Sequence, residues 1–292
     1  MNILMTGSGG FIGKNLLHYI SKNNLFPNDT LFFVKREKNN LFCLNSKQNI
    51  YSLSDIHPNV VVHLGAYTPK SGVDCNNING SLSNVVFLNQ LLSTFKSIPT
   101  KFIFISSLDV YEISTEPLSE HSNIIPISLY AHSKLFCEKT LEQWANQNNV
   151  VLQILRLGHI YGPGENEYQK LIPLTIRNII NNISPTIFNN GLERRAYLYI
   201  EDCCRLIVNA IHLEQFEGPI NIVSENSVPI HQIVSSLVTI GGKRELSIIN
   251  KINDAPIRDI VFDNRKMKKL LGLENVNLEE GLRSEFDYFA SL

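Results

Sequence analysis

The amino-acid sequence predicts an α/β fold in which a doubly wound parallel sheet is accompanied by a smaller C-terminal lobe. Three observations carry this prediction. Short apolar segments alternate with longer segments of helical spacing through the first half of the chain, which is typical of strand–helix–strand units. The apolar segments are nearly continuous rather than alternating, as expected for strands buried on both faces. A glycine-rich turn follows the first of them.

The predicted strands and helices follow one another closely over the first 160 residues. Continuous apolar runs predict strands, and apolar residues at helical spacing predict helices. We expect strands at 3–5, 31–34, 60–64, 102–105 and 150–155, and helices at 11–20, 84–95 and 131–145. After residue 164 the elements become shorter and the loops more frequent. We therefore predict a sheet domain formed by 1–160 plus about 186–215, and a smaller lobe formed by about 161–185 plus 216–292.

Composition and charge exclude several classes of protein. The 292 residues are 43% hydrophobic, which is enough for a sizeable core and excludes general disorder. A net charge of −1 provides no field that would attract a nucleic acid or an anionic membrane. There is no apolar run of membrane-spanning length and no signal-peptide pattern. We expect a soluble, cytoplasmic protein that binds neither nucleic acid nor membrane.

The cysteines and the metal-ligating residue types show no recognisable pattern. Five scattered cysteines form neither a disulfide framework nor a C-x-x-C pair, which favours a reducing compartment. No cluster of His, Cys and Asp has metal-ligand spacing, so we predict no metal site. His63 ends a predicted strand and is expected to be a packed, hydrogen-bonded residue.

The turn after the first strand is the first candidate for ligand binding. Residues 7–13 read Gly-Ser-Gly-Gly-Phe-Ile-Gly and open the first predicted helix. Gly7 would allow the tight turn, Gly10 the approach of a pyrophosphate, and Gly13 the close packing of helix on strand. The helix N-terminus would offer N–H groups to the anion. This context predicts a Rossmann-type dinucleotide site, and the alternative is an ordinary tight turn.

The end of the second strand bears on the choice of cofactor. An NAD site usually carries an acidic residue there, which binds the ribose 2′-hydroxyl. Here residues 33–36 read Phe-Val-Lys-Arg, and the first carboxylate is Glu37. Lys35 and Arg36 could bind a 2′-phosphate instead. We therefore predict NADP(H), with NAD(H) as the alternative cofactor and a solvated basic turn as the alternative structure.

Tyr130 and Lys134 are the candidates for acid–base chemistry. Their spacing of four places both side chains on one face of a helix, one turn apart. A neighbouring ammonium favours the phenolate and so lowers the pKa of a tyrosine, which suits Tyr130 to proton transfer near neutral pH. Upstream, Ser106 and Ser107 end a strand, where ligands of such sheets bind. A hydroxyl there could contact the same substrate oxygen, or the two serines could simply end the strand.

Together these residues resemble the extended short-chain dehydrogenase/reductases, a family of NAD(P)-dependent nucleotide-sugar epimerases, dehydratases and reductases. The resemblance covers nearly the whole chain and implies a Rossmann domain with a smaller lobe that binds the nucleotide-sugar. Its motifs are TGSGGFIG at 6–13, VVHLGA at 61–66, NNINGS at 76–81, FISSLDVY at 104–111, YAHSK at 130–134, LRLGHIYGPG at 155–164, RRAYLYIED at 194–202 and LLGLENVNLEEGL at 270–282.

The resemblance implies a role for each matching residue. Ser107 would be the catalytic hydroxyl, Tyr130 the acid and base, and Lys134 the residue that binds the nicotinamide ribose and tunes Tyr130. The cofactor would also contact Gly7, Gly10, Phe11, Ile12, Gly13, Leu64, Ala66 and Asn77. The nucleotide-sugar would contact His159, where many relatives have Asn, Arg195 and Arg258. Homodimers that pair the helices near 84–95 and 131–145 are common in the family.

Departures from the family pattern separate the possible reactions. The 4,6-dehydratases carry an acidic pair directly after the catalytic hydroxyl, and this chain has Leu108-Asp109 instead. Leu108 cannot transfer a proton, so we do not expect full dehydratase chemistry. Asp109 is a candidate second acid or base, and the alternative is a turn carboxylate.

We therefore predict an NADPH-dependent reductase of a 4-keto-6-deoxy nucleotide-sugar, active in deoxysugar biosynthesis, with Tyr130 as the proton donor. The alternative is a nucleotide-sugar 4-epimerase with tightly bound NAD, resembling UDP-glucose 4-epimerase, which needs the same three residues. A non-catalytic cofactor-binding scaffold is a remote alternative. The intact Ser107, Tyr130 and Lys134 argue against a scaffold, because a non-catalytic protein has no need of them.

Overall fold

The computed structural model describes residues 1–37, 40–45, 49–114, 116–252, 259–272 and 276–292. Its strands are β1 (Asn2–Thr6), β2 (Thr30–Glu37), β3 (Asn40–Asn45), β4 (Ile50–Ser52), β5 (Val60–His63), β6 (Lys101–Ser107), β7 (Val151–Leu157), β8 (His159–Tyr161), β9 (Thr186–Phe188), β10 (Arg194–Tyr199), β11 (Ile220–Ile222), β12 (Ser227–Pro229) and β13 (Ile249–Lys251). Its helices are α1 (Phe11–Lys22), α2 (Ile78–Thr94), α3 (Leu129–Asn148), α4 (Leu171–Ile180), α5 (Ile200–Ile211), α6 (Ile230–Ile240), α7 (Arg265–Leu271) and α8 (Leu278–Ala290).

The large sheet has the strand order β11-β7-β6-β5-β1-β2-β3-β4. The neighbours from β7 to β2 pair in parallel, which confirms the predicted α/β fold with a largely parallel sheet. The sheet is not wholly parallel, because β3 pairs antiparallel with β2, and β4 pairs antiparallel with β3. Only residues 38 and 39 separate β2 from β3, which is too few for the crossover that a parallel neighbour requires.

Three segments form the first compact unit: Met1–Glu112, Asn123–Leu157 and Cys204–Ile220. Its core places α2 and α3 against the apolar strands. The members of this core include Leu4, Val61, Leu88, Leu91, Phe102, Phe104, Cys137, Leu141 and Ile154, all of them buried. Continuous burial along β5 and β6 agrees with the prediction that these strands are covered on both faces.

Two helices of the first unit begin earlier than their apolar spacing predicts. The Asn77 side chain accepts a hydrogen bond from the backbone N–H of Gly80, so α2 begins at Ile78 rather than near residue 84. The Ser128 side chain accepts from the backbone N–H of Ala131, so α3 begins at Leu129. In both cases a polar N-cap residue sets the start of the helix.

The second compact unit contains Ile113–Ser122, Gly158–Cys203 and Asn221–Leu292. It holds two small sheets, of strand order β12-β10-β8 and β13-β9. Its core packs helices α4, α6 and α8 around Tyr161, with Ile172, Ile176, Ile233, Leu237 and Leu282 among the buried members. The segment 186–215 is divided between the two units at Cys203. In the described part of the chain, no helix has both the length and the apolar character to cross a membrane.

Candidate active site

The glycine turn between β1 and α1 has the form of an anion cradle. Gly7 adopts a φ of 70°, and the Gly10 N–H donates to the Gly7 carbonyl oxygen at 3.0 Å. A Cβ added at Gly13 would lie only 2.2 Å from that same oxygen, so only glycine lets the helix approach the turn this closely. The helix N-cap is Gly10, which has no side chain to cover the first turn. These features fit the pyrophosphate of a dinucleotide.

Thr6 connects the glycine turn to the end of β5. Its hydroxyl lies 2.9 Å from Nδ1 of His63 and accepts a hydrogen bond from the backbone N–H of Gly65 at 2.8 Å. Burial, followed by the charge of Lys134, lowers the pKa of His63 to about 3, so this imidazole is neutral. The His63 ring also stacks on Phe104. His63 is therefore the packed, hydrogen-bonded residue that was predicted.

The remaining predicted cofactor contacts differ in their surroundings. Phe11 and Ile12 in the first turn of α1, and Leu64 and Ala66 after β5, are half-buried. The Asn77 side chain is exposed and uses its oxygen to cap α2.

The predicted 2′-phosphate contacts lie at the end of β2. Lys35 is exposed there, and because β1 and β2 run in parallel it lies at the same edge of the sheet as the glycine turn. The Arg36 backbone belongs to β2, and its side chain lies outside the described part of the structure. The exposed side chain of Lys35 is therefore available to a ligand at that edge.

Tyr130 and Lys134 lie side by side on α3, as their spacing predicts. The Lys134 ammonium nitrogen lies 5.9 Å from the centre of the Tyr130 ring and donates to the carbonyl oxygen of Ile105 at 2.8 Å. Burial lowers the pKa of Lys134 to about 8. The bond to Ile105 ties α3 to β6, the strand that ends in Ser107.

Ser107 closes β6 and begins the 3₁₀ turn Leu108–Val110. Its hydroxyl accepts a hydrogen bond from the backbone N–H of Asp109 at 3.2 Å. Leu108 is buried, whereas the Asp109 side chain is exposed. The position directly after Ser107 therefore offers an apolar side chain packed into the protein and no proton-transfer group.

A buried polar network that was not predicted from the sequence lies directly beneath these residues. Glu138 and Arg156 form an ion pair at 2.7 Å in which both side chains are buried. Glu138 also accepts from the Ser106 hydroxyl, and Arg156 donates to the Tyr111 hydroxyl. Two features of the sequence could have indicated this network: a glutamate one helical turn beyond Lys134, and an arginine between two leucines in a buried strand.

A second set of contacts holds the first turn of α3, where Tyr130 lies. The Asn84 side chain accepts from the Tyr67 N–H at 2.6 Å and donates to the Ser133 hydroxyl at 3.1 Å. Ser133 in turn donates to the carbonyl oxygen of Tyr130 at 2.7 Å. The loop after β5 and helix α2 therefore both support the backbone of Tyr130.

In the second unit, the structure describes two of the three predicted substrate contacts. His159 lies 5.5 Å from the Tyr197 ring, and its Nδ1 is buried with no hydrogen-bond partner among the described residues. Burial, followed by the charges of Lys170 and Arg195, lowers the pKa of His159 to about 4. Arg195 pairs with Glu193 at 2.8 Å. Arg258 lies outside the described residues.

The second unit also buries two carboxyl groups that were not predicted as site residues. Glu165 and Glu285 are almost completely inaccessible to solvent. Burial raises the pKa of both side chains, and their mutual repulsion adds to the rise at Glu285. The charge of Lys170 opposes the rise at both groups, and that of Arg177 opposes it at Glu165. The pair therefore retains a proton at a pH where an exposed glutamate has lost its own.

Comparisons with known proteins match this chain to one family. The NAD dependent epimerase/dehydratase family model matches residues 3–222. The chain is 29% identical over 76% of its length to a dTDP-D-glucose 4,6-dehydratase of Dictyostelium discoideum, but it spans only 57% of that protein. It is 27% identical to a dTDP-4-dehydro-6-deoxyglucose reductase of Escherichia coli, with 80% of each chain covered.

The fold also matches a solved structure along its whole length. The UDP-glucuronic acid 4-epimerase of Bacillus cereus, in complex with UDP-glucuronic acid and NAD, is 27% identical. It superposes with a TM-score of 0.81, covering 100% of this chain and 99% of the epimerase. The family match spans both the glycine turn and the Tyr130–Lys134 pair. The chain belongs to the NAD-dependent epimerase/dehydratase family, the extended short-chain dehydrogenase/reductases, as its motifs predicted.

Proposed function

We propose that this protein is an NADPH-dependent reductase of a 4-keto-6-deoxy nucleotide-sugar. The observation that carries the proposal is the exposed Lys35 at the end of β2, on the sheet edge that holds the glycine turn. A cation there suits a 2′-phosphate and replaces the acidic residue typical of NAD sites. The buried Leu108 supports reduction over dehydration, because dehydration needs an additional proton-transfer group at that position.

The proposed reaction assigns one task to each candidate residue. The glycine turn would hold the pyrophosphate of the cofactor, and the nicotinamide of that cofactor would supply the hydride for C4. Ser107 donates a hydrogen bond to the 4-oxygen, and Tyr130 transfers its phenolic proton to that oxygen, so that the ketone becomes an alcohol. The Lys134 ammonium stabilises the tyrosinate that remains. Asp109, which is exposed, is a candidate to exchange protons with solvent.

Residues of the second unit are the proposed contacts of the nucleotide-sugar. The Arg195 guanidinium can form bidentate hydrogen bonds with a phosphate, in competition with its present partner Glu193. The buried Nδ1 of His159, which has no hydrogen-bond partner in the described part of the chain, is the proposed contact of a sugar hydroxyl. Arg258 remains a proposed phosphate contact on sequence grounds alone.

A 4-epimerase with bound NAD is the second candidate. It is favoured by the full-length similarity to the UDP-glucuronic acid 4-epimerase that was solved with NAD. In this reaction Tyr130 takes the proton of the sugar 4-hydroxyl and later returns it, with Lys134 stabilising the intermediate charge. The same residues serve both reactions, so the fate of the cofactor separates the two candidates.

The protein is also proposed to act as a homodimer. Ile78, Leu82 and Val86 recur every fourth residue along α2 and are exposed, and α2 packs beside α3, where Phe136 is exposed. An exposed apolar stripe of this kind marks a protein interface. Pairing with the same two helices of a second copy would cover it.

The cofactor is the first property to test. The purified protein is denatured and the released nicotinamide identified; NADPH and NADH are then titrated against native wild type and Lys35→Ala. The reductase is supported if the purified protein releases no nicotinamide and the native protein prefers NADPH to NADH. That preference should fall about tenfold in Lys35→Ala, because one charge-assisted contact to the cofactor is lost. Stoichiometric bound NAD favours the epimerase.

The second test is turnover. NADPH oxidation is followed with 4-keto-6-deoxy sugars linked to CDP, dTDP, GDP and UDP. Oxidation matched by formation of the 6-deoxy sugar establishes reduction. No oxidation with any of the four classes would contradict the reductase, and C4 epimer formation without net cofactor turnover would replace it with the epimerase.

A further inference from the structure

The buried network of Ser106, Tyr111, Glu138 and Arg156 joins the elements that carry the candidate catalytic groups. Ser106 precedes Ser107 at the end of β6, and Glu138 lies one turn beyond Lys134 on α3. Tyr111 directly follows the 3₁₀ turn Leu108–Val110, which carries Asp109. Arg156 lies in β7, the strand paired with β6. All four side chains are buried, and Glu138 is completely inaccessible to solvent.

Both carboxylate oxygens of Glu138 are engaged. Oε1 accepts from the Ser106 hydroxyl at 2.5 Å and from Arg156 Nε at 3.0 Å, and Oε2 accepts from Arg156 Nη2 at 2.7 Å. The remaining guanidinium nitrogen, Nη1, donates to the Tyr111 hydroxyl at 2.8 Å. A bidentate arginine–carboxylate pair fixes direction as well as distance. Movement of α3 against β6 or against the turn would therefore break a buried, charge-assisted hydrogen bond.

Stability does not account for such a network. Replacing a buried ion pair with apolar side chains of similar volume is often neutral or stabilising, so packing alone has no need of Glu138 and Arg156. Catalysis does need a network that fixes these elements, because hydride and proton transfer require the reacting groups to be held within a fraction of an ångström of their productive positions. The network lies where the three elements that carry these groups meet.

Glu138 also acts on the charge of Lys134. Burial lowers the pKa of Lys134, and negative charge on Cys137 and on Glu138 opposes that change. Burial raises the pKa of the Cys137 thiol to about 11, so at neutral pH Glu138 supplies the opposing charge. The imidazole of His63, which also faces Lys134, is neutral. Of these neighbours, Glu138 is therefore the one that favours the ammonium form of Lys134.

We propose that Glu138 is a positioning residue of the active site. Through Ser106 and Arg156 it holds Ser107 and the Leu108–Val110 turn against the Tyr130–Lys134 pair. The catalytic consequence rests on the proposed function, whereas the positioning itself can be measured without turnover.

Glu138→Gln tests the proposal, because it keeps the shape of the side chain and removes its charge. We expect kcat to fall at least tenfold while the KM for NADPH changes less than about threefold, the pattern of an interaction needed for the chemical step rather than for binding. The alkaline limb of the pH profile, where kcat falls as the pH rises, should move to lower pH, because Lys134 loses its proton more easily in this variant. Glu138→Asp should recover part of kcat and the original limb.

Gln153→Ala is the matched control. Gln153 is fully buried in β7, the strand of Arg156, but its amide donates to the carbonyl oxygen of Gln215 at 2.7 Å. We expect this variant to unfold at a lower temperature without any change in the alkaline limb. If it reproduces the limb shift and the loss of kcat, or if Glu138→Gln leaves both unchanged, the proposal is overturned.

Hydrogen–deuterium exchange over residues 104–112 tests the positioning independently of turnover. We expect faster exchange there in Glu138→Gln and also in Tyr111→Phe, which removes the hydroxyl that accepts from Arg156 and serves if Glu138→Gln does not fold. Unchanged exchange in the folded variants would overturn the positioning role. The proposed function would be refuted if the wild-type protein neither reduced nor epimerised any nucleotide-sugar. The exchange experiment would still show whether Glu138 positions the Leu108–Val110 turn.

Discussion

The Lys134 ammonium nitrogen lies 5.9 Å from the centre of the Tyr130 ring, one helical turn along α3. The bond from Lys134 to the Ile105 carbonyl oxygen, 2.8 Å long, fixes the ammonium between the helix and β6. A cation held in this way favours the tyrosinate and makes proton transfer by Tyr130 feasible near neutral pH.

Replacing Tyr130 with phenylalanine should therefore abolish proton transfer while preserving the fold. We expect kcat to fall by about 10²–10⁴-fold, the usual contribution of a general acid. Cofactor affinity, measured by fluorescence titration, should change less than about threefold, because the ring and Lys134 remain. Retention of more than a tenth of wild-type turnover would remove Tyr130 from the role of proton donor.

The activity should depend on the protonation of Lys134. Burial lowers the pKa of Lys134 to about 8, so the ammonium is present below that pH and is lost as the pH rises through it. We expect kcat to be level on the acidic side and to fall above about pH 8. Lys134→Arg keeps its charge at all these pH values, so its activity, although lower, should lack this limb. A limb that persists in Lys134→Arg would assign it to another group.

The close contact at Gly13 should be essential for cofactor binding. A methyl group there would lie 2.2 Å from the Gly7 carbonyl oxygen, which forces α1 away from the turn. We expect Gly13→Ala to weaken NADPH binding more than tenfold and to lower the melting temperature. Gly9→Ala adds the same group where no atom lies within 4 Å, so its melting temperature should stay close to wild type. Equal destabilisation by both changes would disprove the contact argument.

The buried pair of Glu165 and Glu285 should make the protein less stable as the pH rises. Both pKa values are raised by burial, so the folded state binds more protons than the unfolded state above the ordinary glutamate pKa of about 4.3. Unfolding free energy then falls with increasing pH until the pair is ionised in the folded protein.

Glu285→Gln tests this linkage, since the amide can donate a hydrogen bond to Glu165 and carries no charge. The melting temperature of Glu285→Gln should decline less between pH 5 and 8 than that of wild type. Glu279→Gln, on the exposed side of the same helix, is the control and should follow the wild-type slope. Parallel curves for wild type and Glu285→Gln would show that the pair is not the source of the dependence.

The exposed stripe on α2 should govern self-association. Leu82 lies at its centre, and Leu82→Glu places a charge in the proposed contact, so sedimentation should show a monomer where wild type sediments as a dimer. Leu192→Glu alters an exposed leucine of the second unit and should leave the dimer intact. A wild-type monomer at micromolar concentration would contradict the dimer proposal.

Local spacing alone was enough to predict much of this protein. The apolar runs predicted five strands of the large sheet, β1, β2, β5, β6 and β7. The glycines at 7, 10 and 13 predicted the cradle now seen between β1 and α1. Tyr130 and Lys134 were expected to adjoin because residues four apart on a helix share a face. Such features depend on a few neighbouring residues, and the backbone geometry of helix and turn suffices to place them.

Only the tertiary structure determined which distant groups meet. Glu138 reaches Ser106 across 32 residues of sequence and Arg156 across 18, and Arg156 reaches Tyr111 across 45. These contacts exist because β6 and β7 pair in parallel and α3 is the crossover helix that connects them. No local sequence pattern specifies how the helix packs on the two strands. The antiparallel β3 and the meeting of Glu165 with Glu285 were missed for the same reason. Spacing along the chain determines which residues share a face, whereas the packing of whole elements determines which faces meet.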